Sequence, residues 1–312
     1  MKIYWKEMTI SFLACFVVPV LFINLLLKPA DDLKEDAATD PVDELSVRLL
    51  KEDGSISILS MNEYLTGVLL AEMPMDFHME ALKAQAVAAR TFALKQNKHD
   101  GADVCCQANC CQAYISVKEY TNAMGRVENV AKAQKAVTDT AGKVITYQND
   151  LIDAAYFSCS GGRTEDALAV WGSDVPYLQA VDSPGEESAV YYTQTLNFSK
   201  AEFCALLSLD AGSRVAVENI RYTDGGSVDS IVINGTEFTG MQMRSKLGLR
   251  STAFSITAIG ESVSIVTMGY GHRVGMSQYG ANAMGAAGCD YAAILTHYYT
   301  GTEVCDYVGT EN

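Results

Sequence analysis

The chain has 312 residues, is 49% hydrophobic, and carries 38 acidic against 23 basic side chains, a formal charge of −15. That length and apolar content suffice to bury a core in one large domain or two modest ones, which excludes a disordered chain. The acidic balance, with no basic cluster to offset it, removes the electrostatic basis for binding a polynucleotide.

Lys2 and Lys6 precede an uncharged apolar run from Met8 to Leu27. At about 1.5 Å per residue the run crosses a hydrocarbon layer of roughly 30 Å, so a transmembrane anchor is predicted over 8–27. A cleaved signal peptide is the rival reading, but no small-residue cleavage pattern is evident at "LLLKPADD". The two lysines before the run, against Asp31, Asp32, Glu35 and Asp36 after it, predict a cytoplasmic tail over 1–7 and a single-pass protein with the rest outside. Residues 28–45 lack hydrophobic periodicity and read as an acidic tether, leaving 46–312 as the extracytoplasmic domain.

That domain opens with an alternating hairpin, "SVRLLKEDGSISIL", turning at Asp53-Gly54. Ser60 then starts a helix, Glu63 completes a capping box, and Pro74 stops it. Met61, Leu65, Val68 and Leu69 form its apolar stripe, and the next position on that stripe is Glu72. A second helix, with Asp76 as its cap, runs through "FHMEALKAQAVAARTFALKQN", placing Leu82, Ala86, Ala89 and Ala93 on one face and Lys83 and Arg90 elsewhere. A cysteine-rich loop follows, then a helix over "RVENVAKAQKAVTDTAG" ending at Gly142.

From Lys143 the texture changes to strands: a hairpin turning at Asn149-Asp150, a turn at residues 160–162, further turns at Asp224-Gly225-Gly226 and Asn234-Gly235, and a strand over "SIVTMGYG". A last helix, "SQYGANAMGAAG", precedes "DYAAILTHYY". The predicted fold class is α+β, with early helices packed against a later strand-rich portion, preceded by one transmembrane helix.

Three local effects push the Glu72 pKa upward: the apolar stripe, the negative end of the helix dipole, and the apolar neighbours Met73 and Pro74. A carboxyl so placed suits a general acid, although an exposed helix end would leave it merely solvated. "GYGHRVGMSQYGA" sets His272, Ser277, Gln278 and Tyr279 on a glycine-dense backbone that suits a pocket wall for sugar hydroxyls, and lacks the pattern of a serine hydrolase elbow. Read alone, His272 fits a structural histidine equally. Residues 153–184 add Tyr156, Ser158, Trp171 and Tyr177, of which Tyr156 and Trp171 also fit a core role.

His99, Cys105, Cys110 and Cys111 have the elements of a zinc site. Three thiolates and one imidazole fill a tetrahedral ion completely, so such a zinc is structural, not catalytic. Disulfides are the alternative, because eight cysteines remain after Cys15; the spacing argues against a catalytic dithiol.

Together, "YLTGVLLAEMP", "EALKAQAVAARTFAL", "YFSCSGGRT", "VPYLQAVDSP", "LGLRS" and "GHRVGMSQYGA" closely resemble the family of stage II sporulation protein D, which also includes amidase enhancers. The resemblance runs in order from roughly residue 46 to 305 and implies a peptidoglycan lytic transglycosylase of forespore engulfment, anchored in the engulfing mother-cell membrane. Its substrate would be denuded glycan strands, cut between N-acetylmuramic acid and N-acetylglucosamine to leave 1,6-anhydro ends. Glu72 matches the catalytic glutamate, and Arg90, Tyr156, Ser158, Tyr177, His272, Ser277 and Gln278 fall in blocks expected to line the cleft. Implied partners are the amidase stage II sporulation protein P and stage II sporulation protein M. A non-catalytic, glycan-binding amidase enhancer is the second reading. The sequence departs from the family twice: Arg273 stands where a glycine is usual, altering the loop or adding a charge to the cleft, and Cys110 replaces the second histidine of a His, Cys, His, Cys zinc loop found in some members.

Overall fold

Strand alternation and a glycine turn begin the fold. The structure, a computed structural model, describes residues 45–96, 98–210 and 214–309. β1 (Ser46–Leu50) and β2 (Ile56–Ser60) pair antiparallel through Asp53-Gly54, and β3 (Val104–Cys105) adds in parallel to the other edge of β1. β3 thereby brings the cysteine loop beside the start of the domain.

α1 (Met61–Glu72) follows directly, the Ser60 hydroxyl accepting from Glu63 N at 3.2 Å. Met61, Leu65, Val68 and Leu69 are buried, and the helix stops at Met73, before Pro74. α2 (Met79–Lys95) is capped by His78, whose Nδ1 accepts from Glu80 N at 3.3 Å, rather than by Asp76. It is buried on nearly every side, from Ala81 through Ala93. Its alanines bring neighbouring backbones close without a side-chain entropy cost. Around it pack α1, α4 (Val127–Thr138) and β4 (Lys143–Tyr147). α3 (Val117–Met124) precedes α4 and carries a reciprocal capping box between Ser116 and Glu119 that the sequence reading passed over.

The chain's end returns to this centre. α8 (Gln278–Ala286) and α9 (Tyr291–Tyr298) pack against α2, and β14 (Glu303–Asp306) pairs antiparallel with β4, which holds β5 (Asp150–Leu151) on its other edge. β6 (Tyr156–Phe157) pairs in parallel with β13 (Met276–Ser277). This short ladder joins "YFSCSGG" to "GMSQYGA", which lie more than a hundred residues apart. Gly280 makes the junction possible: a Cβ there would stand 2.0 Å from the Tyr298 hydroxyl.

After α5 (Ala167–Trp171), residues 193–268 build a lobe with its own core. β7 (Thr193–Ser199), β12 (Ser262–Met268) and β11 (Phe254–Ile259) form one antiparallel sheet, and β8 (Val217–Tyr222), β9 (Val228–Ile233) and β10 (Thr236–Thr239) another. α6 (Lys200–Leu207) and α7 (Gly240–Leu247) complete it, burying Phe203, Ile231, Ile233, Phe238, Met243 and Ile265 together.

The architecture is mixed α and β, but the expected layering is corrected. The early helices pack with the C-terminal helices around α2, while most of the later strands bury their faces within the lobe. The transmembrane helix of the predicted fold class, and the single-pass localisation built on it, are also corrected: among the described residues no helix is long and apolar enough to cross a membrane. The run over 8–27, with the tail over 1–7 and most of the tether, lies outside the described residues.

Candidate functional site

The C-terminus of α1, the cysteine loop, the β6–β13 junction and α7 of the lobe surround a cleft of about 780 Å³. Glu72, Tyr156, Ser158, Trp171, Arg244, His272 and Gln278 line it, with the loop residues Asn109, Cys110 and Cys111. Trp171 is 48% exposed, and its ring lies 5.4 Å from that of His272, which in turn lies 5.6 Å from Phe157. The wall is therefore aromatic, with amide and hydroxyl groups beside it.

Glu72 is half-buried as the last residue of α1. Burial raises its carboxyl pKa; the Ala113 N–H and the Gln278 carboxamide oppose that shift. Ala113 N donates to Glu72 Oε1 at 2.7 Å, whereas Gln278 Nε2 makes no well-formed hydrogen bond. The extended segment after the cysteine loop is fastened along α1: Gln112 Nε2 donates to Tyr64 Oη at 2.8 Å, Tyr114 stacks on Tyr64 at 6.0 Å, and Ile115 N donates to Gly67 O at 3.3 Å. Gly67 is what lets that segment lie there, since a Cβ would meet Tyr114 at 2.3 Å. Tyr156 Oη donates to Gln112 Oε1 at 2.9 Å, and burial holds that phenol well above its ordinary pKa. The acid thus sits in a preformed frame.

His272 is neutral near pH 7. Burial first and the Arg244 charge second lower its pKa to about 4, and its Nδ1 accepts from Val274 N at 3.1 Å. Of the sequence-predicted binding residues, Tyr156, Ser158, His272 and Gln278 meet Glu72 in the cleft. Three others stand behind its walls. Arg90 is fully buried and donates to the carbonyls of Thr140 at 2.8 Å and Lys143 at 3.0 Å, tying α2 to the end of α4 and the start of β4. Tyr177 packs on Tyr147 and accepts from Asp153 N at 3.0 Å. Ser277 is buried, donates to Glu186 Oε1 at 2.5 Å and caps α8. The sequence reading passed over Gln112, Ala113 and Arg244; only the adjacency of the first two to Cys111 signals them.

The nitrogen and sulfur atoms of His99, Cys105, Cys110 and Cys111 all lie within 4.8 Å of one another. His99 Nε2 stands 3.2 Å from Cys111 Sγ and 3.7 Å from Cys110 Sγ. The chain turns at Gln107, whose carbonyl accepts from both Cys110 N and Cys111 N, so adjacent cysteines face one point. This donor set fits a tetrahedral cation with four protein ligands. No disulfide links the described cysteines, and Cys106 stands outside the quartet.

Arg273 adds no charge to the cleft. Its φ of +67° is the left-handed conformation that glycine adopts most readily, and its buried guanidinium makes five hydrogen bonds. Nε donates to Ser160 O, Nη1 to Glu165 Oε1 and Ser227 Oγ, and Nη2 to Arg163 O and Gly225 O. Ser227 and Gly225 belong to the lobe. The arginine is therefore a bolt between the lobe and the body.

A half-buried carboxyl facing an aromatic, amide-rich cleft is equipped to exchange a proton with a polar, ring-shaped ligand. Residues 51–147 match the family profile described as "Stage II sporulation protein". Stage II sporulation protein D of Bacillus amyloliquefaciens is 38% identical over 283 residues, spanning 88% of this chain and 80% of the relative. That of Bacillus subtilis is 37% identical, over 89% and 83%. A Bacillus subtilis protein named amidase enhancer is 31% identical over 78% of this chain and 40% of its own length. The chain belongs to the stage II sporulation protein D family, a family of sporulation.

Proposed function

We propose that this protein is a lytic transglycosylase that cleaves denuded peptidoglycan strands during engulfment. The observation that carries the reading is the Glu72 carboxyl, half-buried and biased toward its protonated form, in a cleft walled by Trp171, His272 and Tyr156. Glu72 donates its proton to the glycosidic oxygen between N-acetylmuramic acid and N-acetylglucosamine as the C1–O bond breaks. The resulting carboxylate takes the proton of the muramoyl C6 hydroxyl while O6 bonds to C1, closing the 1,6-anhydro ring and restoring the acid. One carboxyl suffices because the substrate carries its own nucleophile, unlike hydrolysis by a carboxylate pair. The raised pKa suits the first half of this cycle, and the Ala113 N–H suits the second by holding the anion.

His99, Cys105, Cys110 and Cys111 would hold zinc, which supplies rigidity and leaves no position open for water. Their loop leads directly into Gln112 and Ala113, so its order bears on where the Glu72 carboxyl sits. Stage II sporulation proteins P and M are the proposed partners, the first removing stem peptides upstream.

The relative named amidase enhancer favours a second reading, a glycan-binding protein that stimulates an amidase without cleaving. Mass spectrometry of denuded glycan digested by wild type and Glu72→Gln separates the two. Anhydromuramoyl ends from wild type alone support the lyase; glycan binding with no such product from either protein overturns it.

A further inference from the structure

Arg244 is a cation without a counterion among the described residues, in the cleft of an acidic protein. It projects from α7 and stands close enough to His272 and Tyr270 to act on their charges. Its one side-chain hydrogen bond among the described residues runs from Nε to Leu249 O at 3.4 Å, leaving both terminal nitrogens without a partner among them. Among the described residues no carboxylate forms an ion pair with it. Among the other charged lining residues, Asp153 is paired with Lys95 at 3.4 Å, and Lys98 is an exposed amine lying over Phe92. A half-buried guanidinium with both terminal nitrogens free presents one N–H edge that can take a planar anion bidentately, and each such charge-assisted bond gains from partial desolvation.

Resting on the transglycosylase reading, we infer that Arg244 binds the lactyl carboxylate of a muramoyl residue and so selects glycan from which the stem peptide has been removed. The chemistry is discriminating at one atom pair. On a peptide-bearing strand the lactyl carbonyl is an amide, which offers no negative charge and only one acceptor oxygen. A stripped strand presents the carboxylate. The neutral imidazole of His272 beside Arg244 adds no second cation, and Arg250 lies over the Tyr191 and Tyr270 rings rather than among the cleft-lining residues.

The test uses the full-length, metal-loaded protein carrying Glu72→Gln, so that binding is read without turnover. Calorimetry compares denuded glycan oligomers with the same oligomers whose lactyl carboxylates have been converted to methylamides. The expected preference for the acid form is roughly 10- to 100-fold, falling to near one with Arg244→Gln and partly restored with Arg244→Lys. Lys98→Gln is expected to leave the ratio intact. An acid preference that survives Arg244→Gln, or no preference before the substitution, overturns the assignment while leaving the glycan reading standing. Failure to bind either oligomer overturns both.

Discussion

Replacing Arg273 by glycine tests whether the lobe is bolted through a buried charge pair. Glycine relieves the left-handed backbone, a gain of about 1–2 kcal/mol. It also deletes five hydrogen bonds and leaves Glu165, fully buried, without its cation. Removing one partner of a buried pair costs about 3–5 kcal/mol, so Arg273→Gly should lose roughly 1–4 kcal/mol net. For a domain of this size that is roughly 2–8 °C in Tm. Adding Glu165→Gln should recover part of the loss, because the stranded group is then neutral. Urea unfolding followed by Trp171 fluorescence and by circular dichroism measures each variant. A glycine variant as stable as wild type, with no benefit from Glu165→Gln, would refute the reasoning.

Other outcomes follow from the site. Because burial raises the folded pKa of Glu72, the folded state binds more protons than the unfolded one between the two values, and stability falls as pH rises through that window. Glu72→Gln should therefore stabilise the protein at pH 8 relative to pH 4, read by thermal denaturation, while abolishing product. Ala113→Pro removes the N–H that stabilises the Glu72 anion and should move the alkaline limb of the rate–pH profile upward. Cys110→Ser, or a chelator, should reduce bound zinc by elemental analysis and lower activity at least tenfold by loosening the frame around Glu72. Gly67→Ala sets a methyl against Tyr114 and should cost about 1–3 kcal/mol in denaturant unfolding, with a matching loss of kcat.

The parts of the site written in local chemistry were legible beforehand. Ser60 and Pro74 bound α1 by capping and steric rules that need no tertiary partner, and they place Glu72 at its end; of the expected capping box only the Ser60 bond to Glu63 N forms. His99, Cys105, Cys110 and Cys111 announce themselves because a group that could hold a metal needs particular atoms at particular spacings, and their donor atoms do converge. Arg90 illustrates the opposite case. The family resemblance alone implies a cleft role for it, and the carbonyls that claim it lie some fifty residues onward and give no local sign. Gln112 and Arg244 were missed for the same reason: an amide acquires its task only where Tyr64 and Tyr156 converge, and the arginine only where the lobe meets the body. The lobe itself escaped notice because β7 pairs with β12, across more than sixty residues of intervening chain. Turn residues mark the ends of its strands and say nothing of which strands meet.

The segment from Thr193 to Met268 leaves and rejoins the body at one place: its end residues pair with each other, and Gly269 N donates to Tyr192 O at 2.8 Å. A chain that departs and returns at a single point behaves as an inserted cassette. The body can close behind it with almost no linker, and the cassette has a hydrophobic centre around which to fold first or last. Its amides should exchange hydrogen as a separate cooperative unit once the Arg273 bolt is drawn. The cleft is divided between the two parts, since Glu72 belongs to the body and Arg244 to the cassette. Exchange of the cassette between relatives would change one wall of the cleft while leaving Glu72 untouched.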